Sequence, residues 1–223
     1  MRHLFIFLTC CACAAQSIIV GAIGGGRVTG DVSLFPSPYA DRPSVDSAFR
    51  LESRFHDVGP TIEIGLAHGL AVEFDAVYHR QGSFRTFAHD TDYSTARERD
   101  NDWEFPLLLK YKLRLPVLHP FVEAGVAPRT ISGRVAGTSQ ISLTTPGPLP
   151  FGPSVPVSYG PSVGFVAGGG VEFNWGRLRL APQVRYTRWA TAPVSGLYYS
   201  LGSTYSSNQN QLDLLVGISW KVR

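Results

Sequence analysis

Past residue 13 the chain has no cysteine, since all 3 of its Cys are Cys10, Cys11 and Cys13. Disulfides and thiol chemistry are therefore excluded for everything downstream. Lysine is nearly missing as well: Lys110, Lys112 and Lys221 are the whole set, although Lys+Arg totals 20. Charged residues make up 17% of the 223, against roughly 25% in soluble domains. A water-facing surface spreads Lys and Glu widely, so the shortage implies an exterior that does not all meet water. The net charge of +3 is too small for the concentrated basic face of a nucleic-acid binder. After the first two dozen residues no run of about 18 apolar residues occurs, which excludes a spanning helix there.

What is abundant points to strands. The chain carries 23 Gly, 16 Pro, 13 Phe, 9 Tyr and 4 Trp, a composition of turns and sheets rather than of a helical bundle. Its beginning is different. Met1-Arg2-His3 is basic, Leu4 to Cys11 is mostly apolar, and Ala12-Cys13-Ala14-Ala15 is small. That order predicts a secretory signal peptide over residues 1–15, cleaved after Ala14 or Ala15, and a single domain over 16–223.

The remainder alternates with period two. Residues 58–66 set Val58, Ile62 and Ile64 against Thr61 and Glu63. Residues 70–80 set Leu70, Val72, Phe74 and Tyr78 against Glu73, Asp75 and His79. Residues 103–113 set Trp103, Leu107, Leu109 and Tyr111 against Glu104, Lys110 and Lys112. Residues 163–173, 178–188 and 212–222 repeat the pattern, with Glu172, Arg179, Arg185, Asp213 and Lys221 on the polar side. Residues 17–28 and 120–129, the latter with Glu123, are diluted by glycine. Segments near ten residues with this period are strands, and eight are predicted. Short turns (67–69, 114–119, 174–177) alternate with long connections (30–54, 81–102, 130–161, 190–207). An up-and-down barrel with its long loops at one rim gives that order, with both termini at the other rim.

Alternation alone does not say which face is inside. Tyr78, Trp103, Tyr186 and Trp189 gather toward the long-loop rim, and Tyr111, Trp175 and Trp220 toward the other, as amphipathic rings do at two membrane interfaces. The apolar face is therefore expected to meet lipid. A soluble lipocalin-like carrier of apolar ligands would point it inward instead.

The segments VGPTIEIGLAHGLAVEFDAVY (58–78), PFVEAGVA (120–127), GRLRLAPQVRYTRW (176–189) and NQLDLLVGISW (210–220) resemble the small eight-stranded outer-membrane barrels, the OmpA/OmpX-like group. The resemblance implies an all-β transmembrane barrel in the outer membrane of a Gram-negative cell. Its partners would be outer-membrane lipid, lipopolysaccharide and the barrel-insertion machinery. It departs from the group's pattern at the end, where Trp220 is followed by Lys221-Val222-Arg223 instead of closing the chain. No peptidoglycan-binding domain is implied.

No catalytic, cofactor or metal site is expected. Gly24-Gly25-Gly26 followed by Gly30 misses a dinucleotide-binding spacing. His89-Asp90-Thr91-Asp92 with Glu98, Asp100 and Asp102 reads as a solvated acidic loop, lacking the glycine and closing glutamate of a calcium loop. His79 and Ser83 could serve a lipid-acting enzyme at the rim, but no acid or oxyanion donor stands out beside them. Eight strands leave an interior that side chains fill. The polar register predicts a lumen network of Glu63, Glu73, Asp75, Glu104, Lys110, Lys112, Glu123, Glu172, Arg179, Arg185, Asp213 and Lys221. Near-balance of sign makes such burial affordable. A plugged, non-enzymatic barrel acting through its surface loops in adhesion, surface binding or envelope integrity is the function this implies.

Overall fold

The structure is a computed structural model that describes residues 17–36, 45–89, 92–113, 115, 118–140, 152–192, 195–198 and 203–222. The predicted signal peptide and its cleavage site lie outside the described residues. The strands are β1 (Ser17–Arg27), β2 (Val32–Pro36), β3 (Val45–Leu51), β4 (His56–Gly65), β5 (Leu70–Asp75), β6 (Val77–His89), β7 (Asp92–Glu104) and β8 (Leu107–Lys112). They continue with β9 (His119–Gln140), β10 (Val155–Ser158), β11 (Ser162–Trp175), β12 (Leu178–Trp189), β13 (Ser195–Tyr198), β14 (Ser203–Ser207) and β15 (Asn210–Lys221).

The hydrogen-bonded order β1-β4-β5-β8-β9-β11-β12-β15 returns to β1, so eight antiparallel strands close a barrel. Closure leaves no sheet edge, which a strand in lipid requires because every backbone group must be paired. The short-turn end is tight. His68 (φ 61°) and Gly69 (φ 84°) join β4 to β5, and Gly176 (φ 63°) turns β11 into β12.

Outside, the wall is apolar. Ile62, Phe74, Leu109, Val122, Phe165, Val184, Val216 and Ile218 are all exposed. So continuous an apolar belt does not face water. Trp175, Tyr111 and Trp220 border it at the short-turn end, and Trp103 and Tyr186 at the other. Tyr78 packs its ring 5.1 Å from that of Trp103, completing the upper girdle. The expected register therefore holds, apolar outward and charge inward, in every segment where the alternation is strong.

Two features differ from the sequence reading. First, the long connections are largely strand. β6 and β7 prolong β5 and β8 in unbroken register across Ala76 and Phe105-Pro106, and β9 runs alongside them for 22 residues. With β3 on one flank and β10 on the other, they raise a sheet above the girdle. β2, β13 and β14 pair in a separate small sheet. Above the membrane both faces of a strand meet polar surroundings, so apolar alternation stops there while the backbone pairing continues. Second, Trp189 is no girdle residue. At 1% exposure it points into the barrel, in phase with Arg179 and Arg185 on the same strand.

Candidate functional site

The barrel interior stacks charged side chains in three tiers. At the short-turn end, β4 supplies Glu63, β8 Lys112, β11 Glu172 and β12 Arg179. Arg179 Nη1 donates to Glu63 Oε2 at 2.8 Å and Oε1 at 2.9 Å, and to Glu172 Oε1 at 3.1 Å, while its Nε donates to Ser219 Oγ at 3.0 Å. Lys112 Nζ bonds Glu63 and lies 2.9 Å from Glu172 Oε1. Two cations thus meet two carboxylates.

In the middle tier, Lys110 Nζ donates to Glu73 Oε2 at 2.5 Å and stands 3.5 Å from Glu123 Oε2 and 3.8 Å from Glu63 Oε2, which ties it to the tier below. Its ammonium also lies 4.3 Å from the centre of the Phe121 ring. Arg185 uses all three nitrogens: Nη1 to Asp75 Oδ2 at 2.9 Å, Nε to Glu123 Oε1 at 3.0 Å, and Nη2 to Glu73 Oε1 at 3.3 Å. Glycine on β11 makes the room. A Cβ on Gly168 would sit 2.9 Å from Glu123 Oε1, and one on Gly170 would sit 2.8 Å from Phe121 Cζ. The wall is thinned where the filling is thickest.

The upper tier lies at the girdle. Arg27 Nη2 donates to Glu104 Oε1 at 2.7 Å and Nη1 to Asp31 Oδ1 at 3.0 Å, with Asp213 Oδ1 3.6 Å from its Nε. The Arg129 guanidinium lies 4.0 Å from the Trp189 ring centre. Trp189 Nε1 donates to Gln211 Oε1 at 2.8 Å, and Gln211 Nε2 to Asp213 Oδ2 at 2.8 Å and Glu104 Oε2 at 3.2 Å. His79 is held on both sides, Nδ1 2.6 Å from Asp57 Oδ1 and Nε2 3.2 Å from Asp31 Oδ1. Burial pushes the Asp31 carboxyl up. The His79 hydrogen bond and the Arg27 charge outweigh that and hold it down at about 2.

Of the residues expected in the lumen, eleven have these ion-pair partners: Glu63, Glu73, Asp75, Glu104, Lys110, Lys112, Glu123, Glu172, Arg179, Arg185 and Asp213. Lys221 does not join them. It is exposed at the short-turn mouth, beside a cavity of about 530 Å³ that Arg177 and His119 also line. Sequence reasoning missed Arg27, Asp31, Asp57, Asp102 and Arg129, and left His79 outside the network. Their signal was the odd-even phase carried past the ends of the apolar runs. His79 meets two carboxylates rather than Ser83. Among the described residues no cluster of His, Cys, Asp and Glu is arranged to hold a metal ion.

Above the girdle the same phase sorts the charges of residues 96–103, ARERDNDW. Glu98, Asp100 and Asp102 turn inward and are buried. Arg97 and Arg99 turn outward with Asn101 and Trp103. Glu98 accepts from Arg85 Nη2 at 3.2 Å and from the Tyr159 hydroxyl. Burial, and after it repulsion from Glu98, pushes the Asp100 carboxyl up to about 7. This stretch is a charge-sorted strand, not the acidic loop that its composition suggested.

A closed eight-stranded antiparallel barrel with an apolar belt, two aromatic girdles and a charged interior is the architecture of the small outer-membrane barrels. Solved structures agree. The outer membrane protein OprG from Pseudomonas aeruginosa is similar over 94% of this chain and 97% of its own, with 12% identity and a TM-score of 0.54. The outer membrane protease OmpT from Escherichia coli is similar over 93% and 97%, with 10% identity and a TM-score of 0.50. No protein-family model matches the chain, and no curated protein does. The likeness is one of fold.

Proposed function

We propose that the protein is a non-enzymatic integral protein of the outer membrane, with a plugged lumen, that works through the surface it raises above the membrane. One observation carries this reading: three tiers of ion pairs stack through the barrel interior, with Ile23, Val77 and Leu215 buried among them. A filled interior passes no solutes, so activity moves to the lipid-facing wall and the raised sheet. Adhesion, surface binding and envelope integrity are the roles open to such a surface. The non-enzymatic part rests on His79. Its ring is 1% exposed and both nitrogens are engaged by carboxylates, so it has no free nitrogen to take a proton from a nucleophile or a water.

Planar-bilayer recording of the purified protein tests the plug. The expected outcome is the absence of steady, porin-like conductance; a large steady current in wild type overturns the reading. Lipid-hydrolase and protease assays on wild type and His79→Gln test the rest. Activity that His79→Gln abolishes would show an enzyme. Recovery from the periplasm without detergent would remove the protein from the membrane altogether.

A further inference from the structure

We propose that the outward face of the raised sheet is a binding groove for a phosphorylated glycolipid headgroup of the outer leaflet. Arg80 on β6, Arg99 on β7 and Arg134 on β9 line a cavity of about 940 Å³ with Arg97 and Ser154. That volume is in the range that holds a compact ligand. The inference rests on the outer-membrane reading and assigns that reading a lipid partner at a particular place.

Register puts the groove there. Arg99 is the Cα partner of Arg134 and of Gly82, and Arg80 is the partner of Asn101. The three arginines share the face that carries Tyr78 and Trp103 a few residues lower. A ligand in the groove therefore stands beside the barrel, at the level just above the girdle, where headgroups lie. It does not sit on the barrel's mouth.

Charge is distributed to match. The acids of this strand point to the other side of the sheet. Among the described residues a carboxylate on the outward side, Glu52, is taken by Arg97, with Nε to Oε2 at 3.0 Å, and by Arg50 at 3.2 Å. Arg80 and Arg99 have no ion-pair or hydrogen-bond partner for their side chains among the described residues. Among the described residues Arg134 donates to the neutral Ser154, at 2.9 Å to Oγ and 3.4 Å to the carbonyl. Three guanidinium groups free of counter-charge, on one wall, at headgroup height, suit phosphate monoesters, which guanidinium binds in bidentate fashion. A sugar carrying two phosphates spans such a wall better than a single zwitterionic headgroup.

The experiment uses the full chain refolded into phosphatidylcholine nanodiscs. These are doped either with bisphosphorylated lipid A or with the same lipid stripped of both phosphates, and bound lipid is counted by native mass spectrometry. Wild type should retain the phosphorylated form at least about tenfold over the stripped one. Arg80→Gln/Arg99→Gln/Arg134→Gln should lose that preference, and Arg188→Gln, on the far side of the barrel, should keep it. The triple lysine variant, which keeps the charge, should retain part of it and confirms that loss in the glutamine variant is not misfolding. Equal retention by wild type and the triple glutamine variant overturns the proposal. So does displacement of the lipid by millimolar inorganic phosphate, which marks a site for soluble anions. So does tight, arginine-dependent capture of heparin by nanodiscs lacking lipid A, which marks a site for sulfated polysaccharide. A wild type that fails to enter nanodiscs at all refutes the membrane reading instead.

Discussion

The barrel has a short wall and a tall one. On the short side, β1, β12 and β15 run 11, 12 and 12 residues and end near the upper girdle. On the tall side, β9 runs 22 residues and the β6–β7 hairpin climbs with it. A tilted strand needs about 9–11 residues to cross the hydrocarbon, so the short wall is nearly all membrane and the tall wall is half outside. The two obey different chemistry. In the short wall the strands are apolar without, and within them Arg27, Arg179, Arg185 and Asp213 meet ion-pair partners on other strands, while β1 also turns Ile19 and Ile23 inward. In the upper tall wall both faces are charged: β7 turns acids inward and arginines outward, and outside, Arg80 and Arg99 have no ion-pair partner among the described residues. The lesson is that one backbone pattern serves two solvents, and only the side-chain sorting changes at the girdle.

Removing a lumen charge should separate the two walls most sharply. Arg185→Leu leaves Glu73, Asp75 and Glu123 with a single cation, Lys110. The expected cost is about 3–5 kcal/mol, read from urea unfolding in lipid vesicles. Arg99→Leu, on the outer face above the girdle, should stay within about 0.5 kcal/mol. Equal costs would mean that the lumen is wet. Next in size is charge on the lipid face. Leu109→Arg and Val216→Arg should each cost about 2–4 kcal/mol near the bilayer midplane, whereas Val155→Arg, exposed on β10, should cost less than about 0.5 kcal/mol. A cheap Val216→Arg would place the belt elsewhere.

The smallest effect concerns pH. Asp100 titrates near 7 in the folded sheet, above the roughly 3.9 of an unfolded chain. The folded state therefore binds the extra proton between those values. Its stability contribution from this group is full below about pH 3.9 and lost as pH rises through 7. Hydrogen exchange of β7 should be slower at pH 5 than at pH 8 once corrected for intrinsic rates. Asp100→Asn should remove most of that difference while leaving β12 unaffected.

In the short wall, β12 and β15 were the most legible strands in the sequence. Lipid demands apolar side chains outward at every second position, so Leu212-Asp213-Leu214 and Leu178-Arg179-Leu180 declare their faces unaided. The tall wall was not legible as strand, because nothing above the girdle demands apolar residues. Its alternation is of charge sign, Arg97-Glu98-Arg99-Asp100, which a hydrophobicity pattern does not register. Arg27 and Arg129 were hidden at the ends of the two glycine-diluted strands. Trp189 misled because aromatic type suggested a girdle, although its odd number put it in phase with Arg185. The cation seat of Arg129 over that ring is a tertiary contact and has no trace in local sequence.

The alternating charges of residues 96–103 also make a one-residue slip of their strand costly. A strand that pairs one residue out of step turns every side chain to the opposite face. In a wall of Thr, Ser and Gly such a slip would cost little and persist. Here it would turn Arg97 and Arg99 to the inner side of the sheet and Glu98, Asp100 and Asp102 to the outer side, all at once. The penalties add along the strand, so this alignment is favoured over its one-residue neighbours without any apolar code to mark it.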